Sequence, residues 1–251
     1  MYRFEVCANS VKSCLAAQEG GAHRVELCTA IPEGGLTPSY GEIALARELL
    51  HIKLNVIIRP RGGDFLYSPL EVKSMLKDIE RCQKLHVDGV VFGCLTSEGD
   101  IDLNLLKELT RASRSMSVTF HRAFDMCRDP KLALEQIIHM GCDRILTSGQ
   151  RATAEEGIPL LRALNMQAEE RIILLAGSGI NEKNIHRIAT ETGISEFHFS
   201  ARENEKSQMT YRNPDISMGG AVNINEYEQP FTTANRVRKI IENSRRVTIR
   251  E

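Results

Sequence analysis

The sequence predicts a single-domain α/β fold, a (β/α)8 TIM barrel. Three observations carry that prediction. Short β-rich runs alternate with amphipathic stretches from end to end, eight such units fit within 251 residues, and the turn after the first strand, Cys7-Ala8-Asn9-Ser10, has no Gly-rich phosphate fingerprint. Strict alternation means parallel strands joined by right-handed crossovers, and eight units in this length close best into a barrel.

The elements follow in order. A strand at 3–7 leads to a helix at 10–19, which opens on the Ser10 cap and stops at Gly20-Gly21. The second strand, 24–28, precedes a helix at 39–50, again behind a Ser hydroxyl. The third, 54–59, precedes a helix at 68–85 with Pro69 at its first position, where a missing N–H costs nothing. Strands at 89–93, 117–121, 144–147, 172–176 and 196–200 complete the set, with helices at 102–114, 130–140, 152–164, 181–192 and 233–244. No linker interrupts the series, so 1–251 reads as one domain. The stretch 202–230 after the eighth strand is too long for a plain connection and reads as a lid or interface loop. Residues 245–251 form a C-terminal tail.

Composition narrows the class. With 32 Lys+Arg against 33 Asp+Glu, the chain lacks the basic excess of a nucleic-acid binder. No apolar run approaches the roughly 18 residues needed to span a bilayer. The N-terminus runs straight into a strand without a signal-peptide core. Seven scattered cysteines, an odd number, fit buried thiols in a reducing compartment, which points to the cytoplasm.

In a barrel the chemistry sits where the strands end, so the inward residues there are the ones to read. Side-chain alternation turns Phe4 and Val6 toward the helices and Glu5 and Cys7 inward. The second strand repeats this, with Val25 and Leu27 outward and Glu26 and Cys28 inward. Arg59 and Arg61 share a parity after the third strand, His121-Arg122 ends the fifth with Asp125 beyond, and His198 and Ser200 share a parity on the eighth. Buried charge needs a partner, and the expected partners of Glu5 and Glu26 are Arg59 and His121. Glu5, Glu26, Arg59, Arg61, His121 and Arg122 are therefore the candidate acid/base and anion-clamping residues.

The loops after strands seven and eight form a second candidate. Gly177-Ser178-Gly179 and Ser200 occupy the usual phosphate position of α/β barrels, and Ser148-Gly149 after strand six could add donors. Cys14, Cys82 and Cys142 read as ordinary buried thiols, and Cys94 and Cys127 lie near loops. Cys7 and Cys28 share a parity and a cavity, and two soft thiolates suit Cu(I) in linear geometry where zinc would want four ligands. No Lys ends a strand, which speaks against a Schiff-base aldolase. No His-X-His occurs, and Ala176-Gly177-Ser178-Gly179 forms no nucleophile elbow.

Several segments together resemble the CutC family of copper-homeostasis proteins. They are Glu5-Val6-Cys7, Gly20-Gly21-Ala22-His23-Arg24-Val25-Glu26-Leu27-Cys28, Gly34-Gly35-Leu36-Thr37-Pro38-Ser39, Ile58-Arg59-Pro60-Arg61-Gly62-Gly63-Asp64-Phe65, Thr119-Phe120-His121-Arg122-Ala123-Phe124-Asp125, Arg144-Ile145-Leu146-Thr147-Ser148-Gly149 and Met209-Thr210-Tyr211-Arg212-Asn213. The resemblance implies a barrel, a homo-oligomer and a role in copper tolerance, with Cys7 and Cys28 matching the family's proposed copper ligands. Ser178 departs from it, since relatives often carry Gly or Ala there. Two functions of different class follow. One is a copper-handling protein that binds Cu(I) at Cys7 and Cys28. The other is an enzyme acting on a small anionic metabolite, phosphorylated or not, through Glu5, Glu26 or His121, with Arg59, Arg61 and Arg122 as clamps.

Overall fold

The computed structural model describes residues 1–219 and 224–245, so the tail expected at 245–251 falls outside the described residues beyond Arg245. Its strands and helices alternate as β1 (Arg3–Ala8), α1 (Val11–Glu19), β2 (Arg24–Leu27), α2 (Tyr40–Leu49), β3 (Lys53–Ile57), α3 (Pro69–Lys84), β4 (Gly89–Phe92), α4 (Leu103–Ala112), β5 (Ser117–Phe120), α5 (Pro130–His139), β6 (Arg144–Thr147), α6 (Ile158–Ala168), β7 (Ile173–Gly177), α7 (Ile185–Thr192) and β8 (Glu196–Phe199). After them come β9 (Arg202–Lys206), β10 (Glu228–Thr232) and α8 (Ala234–Asn243). Strands β1 to β8 are all parallel and close on themselves, because β1 pairs with both β2 and β8. The fold is a single (β/α)8 barrel.

Local chemistry sets most helix starts. The side chains of Ser10, Ser39, Asp102 and Thr233 accept the N–H groups of Ser13, Glu42, Leu105 and Arg236. Ser68 and Glu71 form a reciprocal capping box with Pro69 at the first position of α3. Asp129 caps α5 in the same way, ahead of Pro130. Between helices and sheet, Phe4 stacks on Phe197 at a centroid separation of 6.3 Å, and Tyr2 meets Phe197 edge-on at 5.5 Å. A buried phenylalanine of this kind is worth about 3–5 kcal/mol against alanine.

Three departures from the sequence reading have local causes. Helix α6 starts at Ile158 rather than 152, because the preceding residues make turns pinned to the next strand by Ala154 N donating to Ser178 O at 2.9 Å. Gly157 there lies so close to Ser148 that a Cβ would fall 1.8 Å from its carbonyl oxygen. Helix α7 starts at Ile185 rather than 181: Asn181 Oδ1 takes the Lys183 N–H and Asn184 Oδ1 takes that of Asn181, a local side-chain alternative to helix. The segment 202–230 is not all loop. Strands β9 and β10 form an antiparallel ribbon, Thr232 opposite Arg202, docked on α1 by Asn9 Nδ2 to Pro230 O (2.9 Å) and Thr232 N to Ser13 Oγ (3.1 Å).

Candidate functional site at the barrel mouth

The N-terminal end of the barrel interior carries a network of paired charges. Arg24 on β2 donates to Glu5 on β1 and, at 2.9 Å, to Glu196 on β8, which also accepts from Arg144 Nε on β6 at 3.0 Å. Arg144 Nη1 reaches Ser117 Oγ on β5 at 2.8 Å, and Asn55 Nδ2 on β3 donates to Glu5 Oε2 at 3.2 Å. Glu5, Arg24, Asn55 and Glu196 are all buried. Charges so placed hold only because each is paired, and breaking a pair exposes the full desolvation penalty. Arg24, and not Arg59 or His121, is the partner of Glu5. The signal was legible: Arg24 opens β2 on the same parity as Glu26 and Cys28.

Above that floor, Glu5 Oε1 holds His198 Nδ1 at 2.7 Å, in keeping with the register that sets Glu5 opposite His198. Burial alone would raise the Glu5 carboxyl, but the charge of Arg24 and the bond to His198 override it and hold it at about 2. Glu26 has no such cation in contact, and burial pushes it up to about 8. Its Oε2 has no protein partner among the described residues.

At the mouth, Cys7 Sγ and Cys28 Sγ lie 3.6 Å apart. Cys7, Glu26 and His198 also present one ligand atom each within 4.8 Å of one another. Arg202, the first residue of β9, turns back so that Nη2 lies 3.2 Å from Cys7 Sγ and 3.3 Å from Cys7 O. The hydrogen bond from Cys28, opposed by burial and helped by His198 and Arg202, lowers the Cys7 thiol well below its ordinary range. The same bond, then burial, raises Cys28. Sequence parity brought the two cysteines together on paper. The sequence places Arg202 at the start of the long segment and, with Ser200 and Ala201, in the anion-binding turn after strand eight; its side chain instead lies on Cys7.

The remaining expected site residues are placed as follows. Arg59 is buried at the mouth, but Nη1 donates to Glu33 O (2.8 Å) and Gly35 O (3.2 Å), and Nη2 to Gly63 O (2.8 Å). It ties together the loops after β2 and β3, with only Nε unpartnered. Arg61 points away from the cavity, spending its donors on Glu71, Gly62 O, Asp64 and Leu66 O. His121 is buried beside Phe65 at a centroid distance of 5.0 Å, and its Nδ1 accepts from Ala123 N. Burial, then Arg59, lowers its pKa to about 3, so the ring is neutral with its proton on Nε2, which has no protein partner.

The loop donors divide into two groups. Asp125 fills the turn after β6, accepting from Thr147 Oγ1 (2.6 Å), Ser148 N (3.1 Å) and Gln150 N (3.1 Å), while Arg122 Nε binds the same carboxylate at 2.7 Å. Gly149 N donates to Thr147 Oγ1. The Ser148 and Gly149 donors expected for an external anion are thus satisfied within the chain, Ser148 N by the Asp125 carboxylate and Gly149 N by the Thr147 hydroxyl. After β7, Ser178 takes a left-handed φ of 81° and ties its Oγ to Ala152 O at 2.7 Å. A Cβ on Gly177 would fall 2.5 Å from Leu146 Cδ1. Ser200 accepts Thr232 Oγ1 on its carbonyl at 2.9 Å, linking the ribbon to the mouth.

Comparison with known proteins points in one direction. The CutC family model matches residues 2–203. The family protein CutC of Bacteroides thetaiotaomicron is 70% identical over 237 residues, covering 94% of this chain and 95% of its own. That of Bacteroides fragilis is 69% identical over 242 residues, covering 96% of each. Among solved structures, a CutC from Streptococcus agalactiae named for copper homeostasis superposes with a TM-score of 0.77 at 36% identity, over 80% of this chain and 99% of that one. Phosphoribosylanthranilate isomerase from Thermotoga maritima aligns over 98% of this chain and 100% of its own with a TM-score of 0.58 at 11% identity, a likeness of fold alone.

Proposed function

The chain belongs to the CutC family, and from that premise we propose that it handles copper, binding Cu(I) at the barrel mouth through Cys7 and Cys28. The observation that carries this reading is the 3.6 Å separation of the two sulfurs on adjacent strands. Soft thiolates select Cu(I) over the harder divalent ions. With metal–thiolate bonds of about 2.3 Å, sulfurs this close subtend a bent angle, not the linear one expected of two thiolates, and leave a side open to a third donor. His198 is that donor, its other nitrogen held by Glu5 as ligating histidines usually are. The seven free cysteines suit a reducing cytoplasm, and among the described residues no helix is long and apolar enough to cross a membrane. Exposed Met209, Tyr211, Ile216 and Met218, between β9 and β10, supply the apolar surface for a homo-oligomer. Anaerobic titration with Cu(I) against a competing chelator tests the reading. Tight, one-equivalent binding lost in the Cys7→Ser/Cys28→Ser double variant supports it, and equal weak binding by both proteins rejects it.

One observation favours a second reading, an acid/base enzyme for a small anionic metabolite. Two buried donors at the mouth, Arg59 Nε and His121 Nε2, face no protein acceptor among the described residues, and Phe65 lies between them. Under this reading sulfate soaked into crystals occupies the Arg59–His121 mouth or the Gly177–Gly179 and Ser200 backbone. It avoids Ser148 and Gly149, whose N–H groups are already bound. A sulfate-free mouth and loop reject it.

A further inference from the structure

Of the seven free cysteines, Cys7 alone is not fully buried. Cys28 lies behind it and is buried, its sulfur 3.4 Å from Ala8 O and 3.6 Å from the sulfur of Cys7. A copper ligand needs only a thiolate, yet Cys7 is served by more than that. The Arg202 guanidinium stands 3.2 Å from its sulfur, and His198, fixed by Glu5, lies in the same cluster. A partly exposed cysteine with its sulfur 3.6 Å from that of a buried one is the arrangement that an attacking and a resolving thiol require.

We propose that Cys7 and Cys28 form a thiol–disulfide exchange centre that reduces small organic disulfides, Cys7 attacking and Cys28 resolving. The proposal goes beyond the copper reading and needs no metal. In the first step the Cys7 thiolate attacks one sulfur of R–S–S–R. A Cys7–S–S–R bond forms, the original S–S bond breaks, and RS⁻ departs. In the second step the Cys28 sulfur attacks that of Cys7, and the second RS group leaves with the Cys28 proton as RSH. Two electrons pass from the cysteine pair to the substrate, so one disulfide is made and one is reduced. A small substrate is specified because the Arg202 guanidinium lies across the Cys7 sulfur at 3.2 Å. Arg202 Nε is buried without a protein acceptor among the described residues and is placed to meet a carboxylate on such a molecule. The oxidised pair has no thiolate left for Cu(I), so exchange also switches the copper site off.

The test uses the full, reduced, copper-free chain with glutathione disulfide as the probe, followed by intact mass and peptide mapping. The wild type is expected to lose two hydrogens and yield a peptide joining Cys7 to Cys28. Cys28→Ser is expected to stop with one glutathionyl group on Cys7, and Cys7→Ser to remain unreacted at Cys28. Arg202→Gln, which leaves the barrel floor intact, is expected to slow the first step by about tenfold or more. A wild type that stays reduced, or glutathionyl groups spread over the other cysteines without a Cys7–Cys28 peptide, overturns the proposal. An Arg202→Gln variant that reacts at the wild-type rate removes Arg202 from it. Because no copper is present, failure here leaves copper binding standing, and failure of copper binding leaves the exchange chemistry standing.

Discussion

Glu5 Oε1 and His198 Nδ1 stand 2.7 Å apart inside the closed barrel, and the other oxygen of the same carboxylate is held by Arg24. One side chain thus joins the ionic floor of the barrel to the site at its mouth. Glu5→Ala removes the acceptor from two buried cationic groups at once. We expect it to cost about 3–5 kcal/mol of stability, measured by urea denaturation, with Glu5→Gln recovering part of the loss. A cost below about 1 kcal/mol, the range of an exposed pair, would show that the network does not hold the floor together.

Arg59 is expected to behave as a loop clamp. Arg59→Ala frees the carbonyls of Glu33, Gly35 and Gly63 together. Charged hydrogen bonds contribute about 1.5–3 kcal/mol each, but neighbouring losses do not add, so about 3 kcal/mol in total is expected. Limited proteolysis should then cut first within 31–36 or 61–66. Unchanged stability with no new cleavage contradicts the clamp.

These two arginines show what the sequence carries and what it withholds. Strand parity placed Glu5, Cys7, Glu26 and Cys28 on one interior because alternation is local and rigid. Helix starts were legible wherever a Ser, Thr or Asp cap stood before an amphipathic run, and slipped at α6 and α7, where contacts across loops decide the first turn. Parity could not say which cation would meet which carboxylate, because that depends on the stagger of strands around the closed barrel. So parity sets Arg24 on the interior with Glu26 and Cys28 without naming Glu5 as its partner, and Arg59, expected beside a carboxylate, lies where the strand has given way to loop. Asp125 capping the turn at 147–150, and Arg202 folding back over Cys7, are long-range closures with no short-range signature.

The Asp125 cap leads to its own expectation. Asp125→Asn keeps the shape but removes the charge that draws Thr147, Ser148, Gln150 and Arg122 together. A loss of about 2–3 kcal/mol is expected, together with faster amide exchange at Ser148 and Gln150. Exchange rates at those two amides equal to the wild type would argue against the cap.

His121 fixes a pH dependence. Its pKa falls from 6.5 to about 3 on folding, through burial first and Arg59 second. Between those values the unfolded chain binds a proton that the folded chain refuses, so this contribution to stability is present above pH 6.5 and is lost as pH falls toward 3. His121→Asn, which keeps an acceptor for Ala123 N, should remove a slope of up to about 1.4 kcal/mol per pH unit from that window. Parallel stability curves for the two proteins from pH 6 to pH 4 contradict a neutral, buried His121.

The most direct test of the copper site is where the ion sits. Crystals loaded anaerobically with Cu(I) and measured at the copper absorption edge should show a single anomalous peak bonded to both Cys7 Sγ and Cys28 Sγ, with His198 as its third neighbour. A peak that touches neither sulfur, or no peak at the barrel mouth in copper-loaded crystals, contradicts the account.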